Sequence, residues 1–198
     1  MLKSLLIVIT MVTAMFMGCT FNAMSIIGEK EEGVAFINEI LPVTPAYYLV
    51  QKILLGFAGG VLSTILTGWI CMRPQLSQIP WLLLLIVLSA FISALTGLFI
   101  GRAAEGLMTG IVYLKMIMIL FIAPPVVCYL VAPKEGIVRS ISYLLPSSAT
   151  FYGLMDLLNG RMAEAGANIV ILAMHCVVWI LAYLFIQRRK GAQFPVKG

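Results

Sequence analysis

From Leu82 to Gly101 the chain runs through twenty residues without a charged, amide or imidazole side chain. As a helix rising 1.5 Å per residue this stretch would be about 30 Å long, the thickness of the hydrocarbon core of a bilayer. Comparable apolar runs lie on either side of it. The expected membrane spans are about 4–26, 49–72, 81–101, 107–131 and 167–187. Only 11% of residues are charged and 62% are apolar, whereas soluble domains are about 25% charged. The reading is an all-α, polytopic helical membrane protein whose single transmembrane domain takes up residues 1–198 and leaves no room for a second, soluble domain. The net charge of +5 does not point to nucleic acid, because the one basic cluster, Arg188-Arg189-Lys190, directly follows the last apolar run, where membrane proteins carry flanking charges.

The first apolar run could also be a signal peptide, and Gly18-Cys19 resembles a lipoprotein cleavage site. Phe16 and Met17 in front of it are too bulky for that cut, so a first span is preferred. Between the first and second runs lies Glu29-Lys30-Glu31-Glu32-Gly33, which with Glu39 holds half of the chain's eight acidic residues. After Gly33, the apolar residues Val34, Ile37, Ile40 and Leu41 follow helical spacing until Pro42 and Pro45 stop the helix. Residues 28–46 are therefore expected to form a water-facing joint with a short amphipathic helix. In the second span Gly56, Gly59, Gly60, Ser63, Thr64 and Gly68 predict close approach to a neighbouring helix. Pro124-Pro125 in the fourth span predicts a kink or an opened turn. The apolar stretch from 137 to 160 is broken at Pro146-Ser147-Ser148, which predicts two half-helices in a re-entrant or interfacial hairpin.

Few residues suggest chemistry. Cys19, Cys71, Cys128 and Cys176 lie in or beside apolar runs without a Cys-x-x-Cys pair, so no metal site is expected. His175 lies mid-span with no acid at its depth and is expected to be a packed, hydrogen-bonded side chain. The twelve methionines are expected to be adaptable packing. A Ser147 or Ser148 nucleophile would lack the Gly-x-Ser-x-Gly turn. Lys115 stands within about three turns of the start of its span; it can snorkel or can face a pathway. No Gly-x-x-x-x-Gly-Lys-Ser/Thr loop occurs, so ATP hydrolysis, if used, belongs to another chain.

The basic tail places the C-terminus in the cytosol. Counting back through five spans puts the Glu29 segment and the Arg102 to Glu105 loop on the same side, and eight of the thirteen basic residues with them. The amino terminus is then outside, and the chain is expected to begin one helix late.

Glu29-Lys30-Glu31-Glu32-Gly33, then Leu41-Pro42-Val43-Thr44-Pro45 and Tyr48-Leu49-Val50-Gln51-Lys52, resembles the segment between the second and third helices in permeases of type-2 ATP-binding-cassette (ABC) transporters. Val34 replaces the family's small Thr or Ser after the Gly. Glu105-Gly106-Leu107 with Lys115, and Leu145-Pro146 to Gly153-Leu154 followed by Asn159-Gly160, extend the resemblance over Leu5 to Ile186. The family has six spans, so its first helix has no counterpart here. The resemblance implies a multi-pass subunit of the cytoplasmic (inner) membrane that is not itself an enzyme. It implies an exporter permease working as a homodimer or heterodimer in the lipid bilayer, with cytosolic ATP-binding-cassette ATPase subunits that use the ATP. It assigns ATPase coupling to Glu29, Glu31, Glu32, Gly33, Ile37, Leu41 and Pro42, and leaves Lys115, Pro124, Pro125 and Pro146 as pathway or packing residues, with no metal and no cofactor on this chain. The competing reading is an ion-coupled secondary transporter, for which no internal repeat is found, or another polytopic membrane protein without an ATPase partner.

Overall fold

The computed structural model describes the backbone of residues 2–33, 45–131 and 137–191, and the side chains of 2–33, 50–131 and 139–185. Seven helices follow in order among the described residues, and no strand: α1 (Leu2–Glu31), α2 (Pro45–Cys71), α3 (Ile79–Ala103), α4 (Leu107–Val131), α5 (Ile137–Ser142), α6 (Pro146–Leu158) and α7 (Met162–Gly191). α1, α2, α3, α4 and α7 are each long and apolar enough to cross a membrane. With the apolar faces this leaves, the chain is an all-α polytopic membrane protein.

α3 is the most buried of the five and α1 the next, and together they form the centre. Small residues make their contact close. A Cβ on Gly97 would lie 2.3 Å from the Cys19 carbonyl oxygen, and one on Gly18 would lie 2.4 Å from that of Gly56. α2 therefore meets α1 through Gly56 and Gly60, the face its small residues predicted. Polar groups lock this contact where water cannot compete. Ser93 Oγ donates to the Met15 carbonyl (2.8 Å) and accepts from the Cys19 amide (3.1 Å), and Asn22 Nδ2 donates to the Ala94 carbonyl (2.7 Å).

α2 ends at Cys71, and the chain turns just beyond it at Arg73, a non-glycine residue with φ 46°, before Pro74. Helix α4 runs unbroken through Pro124 and Pro125. The Pro-Ser-Ser interruption is a helix start: Pro146 occupies the first turn of α6, where a missing N–H costs nothing. α6 begins at mid-height of the bundle, since Thr150 Oγ1 meets Ser89 Oγ of α3 at 2.7 Å, and it ends beside the α2–α3 turn, where Gln78 Nε2 donates to the Leu157 carbonyl (3.0 Å). α5 and α6 are the two short helices within 137–160, neither of them long enough to cross a membrane. His175 is engaged as expected of a packed side chain, with Nδ1 2.9 Å from the Ile171 carbonyl oxygen.

Candidate functional site

α1 does not end before the acidic cluster. It continues as helix to Glu31, and its last turn holds Glu29, Lys30 and Glu31. Each of the three engages a different helix. Glu29 forms an ion pair with Lys52 of α2, whose Nζ also donates to Ser25 Oγ (2.7 Å). Lys30 Nζ donates to the carbonyls of Arg102 (3.0 Å) and Ala104 (2.9 Å), at the C-terminal end of α3. A cation there meets carbonyls that have no partner within the helix and the negative end of its dipole. Glu31 Oε1 accepts from the Leu107 amide at 2.6 Å, the first residue of α4, so one acidic side chain supplies from outside what an N-cap supplies from within. Gly106 leaves room for it, because a Cβ there would stand 3.2 Å from that oxygen.

The end of α1 therefore ties together the start of α2, the end of α3 and the start of α4. α7 reaches the same end, with Arg102 over the Tyr183 ring at 5.2 Å. Glu32 and Gly33 follow as an exposed turn, Gly33 at φ 71°. Ile37, Leu41 and Pro42 lie outside the described residues.

Above this end, α1 and α4 leave a groove of about 210 Å³ lined by Phe16, Thr20, Met24, Leu114, Lys115 and Met118. Lys115 stands eight residues into α4, about 12 Å from its start, and has no ion-pair partner among the described residues. Phe16 and Phe121 close the groove in an edge-to-face pair, with centroids 6.3 Å apart. Beyond them a second cavity reaches Pro146.

A family model described as ABC-2 family transporter protein matches residues 2–185. The chain belongs to the ABC-2 transporter family. It is an ABC transporter permease, a multi-pass membrane protein. No curated protein and no solved structure matches it significantly.

In this ABC-2 permease the residues singled out from sequence fall into two places. Glu29, Glu31, Glu32 and Gly33 cluster at the end of α1, while Lys115 and Pro146 line the groove and the cavity on either side of the Phe16–Phe121 pair. Pro125 is buried on α4 and Pro124 is next to it. Sequence reasoning quoted Lys30 and Lys52 within the motif that carries the resemblance and assigned neither a contact. The signal for Lys52 was present: a basic residue one turn into a span, facing an acidic run across a short connection. No comparable local signal exists for Lys30, whose acceptors lie more than seventy positions away.

At the opposite end, α5, α6 and α7 share a polar cluster. Asp156 Oδ1 is 2.5 Å from an Arg161 nitrogen, and its Oδ2 accepts from Asn168 Nδ2 (2.9 Å). Tyr143 OH donates to Asn168 Oδ1 (2.8 Å), and Glu164 lies 3.1 Å from Arg161 Nε. Burial pushes the Asp156 carboxyl above its ordinary value, and Glu164 adds to this; the Arg161 and Arg139 guanidinium groups pull against it without cancelling it.

Proposed function

We propose that this permease is the membrane subunit of an ATP-driven exporter of the cytoplasmic membrane, with its C-terminus in the cytosol. It works as a dimer and is driven by separate ATP-binding-cassette ATPase subunits docked on residues 28–46. It is not itself an enzyme and carries no cofactor. The observation that supports this most is the last turn of α1, where three consecutive charged residues grip α2, α3 and α4. A push delivered beyond Gly33 reaches all three helices through α1, as rigid-body switching requires. The groove holding Lys115 is the proposed entry to the pathway, and the Phe16–Phe121 pair its constriction.

Affinity purification of the chain from its native membrane tests this reading. The expected result is a co-purifying ATPase with a Gly-x-x-x-x-Gly-Lys-Ser/Thr loop. Recovery without an ATPase, together with transport driven by an ion gradient, would overturn it. Two neighbouring glutamates separate docking from architecture. Glu32→Ala is expected to leave stability unchanged and to lower transport per ATP hydrolysed by about fivefold. Glu31→Ala removes the contact to the start of α4 and is expected to cost about 1 kcal/mol of stability, read as a lower unfolding midpoint. At Lys115, glutamine is expected to slow export and arginine to preserve it; equal export by both variants would remove the residue from the pathway.

A further inference from the structure

The groove between α1 and α4 is built from the membrane-crossing lengths of both helices, and the one charge that lines it is Lys115. No carboxylate lines it, and the lysine has neither an ion pair nor a hydrogen bond among the described residues. The other described cations of this end are engaged: Lys30 on the carbonyls that close α3, Lys52 on Glu29, and Arg102 over the Tyr183 ring. Lys115 is exposed, and Val112, Met116 and Ile119 beside it on α4 are each more than half exposed. Their spacing puts all four on one helical face. In the single chain the groove therefore opens sideways, toward the hydrocarbon of the bilayer.

The α1 wall adds a hydroxyl. Thr10 and Thr13 turn theirs back onto carbonyls of their own helix at 2.8 Å, as a threonine in an apolar setting does. Thr20 Oγ1 stands 3.4 Å from the Phe16 carbonyl oxygen, a long and weak bond, so this hydroxyl loses little by turning to another acceptor. Phe16, Met24, Leu114 and Met118 supply the apolar remainder, and methionines adapt to irregular shapes.

We infer that this groove binds an acidic phospholipid of the surrounding bilayer, with its phosphate on Lys115 and Thr20 and an acyl chain along Phe16, Met24 and Met118. An ammonium at membrane depth is costly unless it reaches water or an anion. Lys115 lies about 12 Å along α4 from its start, and its stem can lift the charge toward the headgroup level. A zwitterionic headgroup would bring its own cation against this lysine, whereas an acidic one brings only the negative charge that the groove lacks. A free anion would have to pass apolar walls, while a lipid arrives with its chain already in hydrocarbon. Binding of this kind does not require cargo to pass through the groove, so it stands apart from the pathway reading.

Native mass spectrometry of the purified permease, titrated with phosphatidylglycerol or with phosphatidylcholine of the same chains, tests the site. The acidic lipid is expected to bind once per chain and about fivefold more tightly, the gain that one lysine near the membrane surface provides. Lys115→Gln is expected to remove that preference and Lys115→Arg to keep it. Thr20→Phe fills the groove with the charge in place and is expected to abolish binding. Val112→Phe, close to Lys115 but outside the groove, is expected to leave binding unchanged, so a lysine that merely attracts passing headgroups is told apart from a built site. A photoactivatable phosphatidylglycerol in nanodiscs needs no variant and is expected to label residues 16–24 and 111–118. Equal affinity for the two lipids, a preference that survives Thr20→Phe, displacement by inorganic phosphate, or no labelling because a second copy covers the groove would each overturn the inference. Export by Lys115→Gln separates the two readings: lost lipid preference with normal export upholds the lipid site and removes the residue from the pathway.

Discussion

Gly97→Val is expected to separate α1 from α3 and to cost the permease about 2–4 kcal/mol of stability. The new Cβ would fall 2.3 Å from the Cys19 carbonyl oxygen and 2.9 Å from its Cα. Both are backbone atoms, so no side chain can rotate away and one helix must move. That movement stretches the hydrogen bonds from Ser93 to Met15 and from Asn22 to Ala94, which sit one turn either side of the contact. Overpacking of this kind costs about 1–3 kcal/mol, and each interhelical hydrogen bond lost within a membrane adds about 0.6. The contrasting substitution is Gly28→Ala. A Cβ there meets nothing within 4 Å, so the only effect is reduced freedom of the unfolded chain, a gain of about 0.5–1 kcal/mol. Thermal unfolding in detergent, followed by helical circular dichroism, is expected to move in opposite directions for the two. A Gly97→Val protein as stable as the native one would mean that α1 and α3 do not approach as described.

Gly97 and Gly18 show what a sequence reveals of such a fold. Five spans were legible, because length and lack of charge are properties of each segment alone. The small face of α2 was legible for the same reason, yet Gly18, which answers it, and Gly97, which meets α1 at Cys19, look like ordinary glycines in apolar runs. The first helix runs further than the span expected over 4–26, because four charged residues in succession look like a water-facing joint. Glu29, Lys30 and Glu31 are helical because Lys30 and Glu31 find backbone partners at residues 102, 104 and 107, a long-range cause that no local pattern carries. The coupling assignment therefore rests on chain order and family, while its geometry comes from tertiary capping. Pro146 was legible as a break, but the neighbours of the α6 start, Ser89 and Phe121, come from two separate spans.

Arg161→Met is expected to be the second severe substitution, and its effect depends on pH. Asp156 is 2% exposed, and Arg161 is its only ion-pair partner among the described residues. Removing one member of a buried pair costs about 3–5 kcal/mol, and the lower figure applies because Arg161 is itself about a third exposed. Burial already holds the Asp156 carboxyl above its ordinary value, against the pull of Arg161 and Arg139 and in the presence of Glu164. Without Arg161 it rises further. A carboxyl whose folded pKa is raised binds its proton more tightly in the folded than in the unfolded chain, so stability falls as pH climbs from the ordinary aspartate value through the raised one. The deficit of Arg161→Met relative to the native chain is therefore expected to be small in mild acid and full above the raised pKa. Asp156→Asn in the same background is expected to abolish that pH dependence, and the double substitution to cost less than the sum of the two. The released element is the α5–α6 hairpin, because Asn168 joins Asp156 to Tyr143 across α7. Amide exchange in residues 143–158 is expected to quicken with rising pH in Arg161→Met while exchange at the α1–α3 contact stays slow. A deficit that does not change with pH would show that Arg161 holds the hairpin by packing rather than by charge.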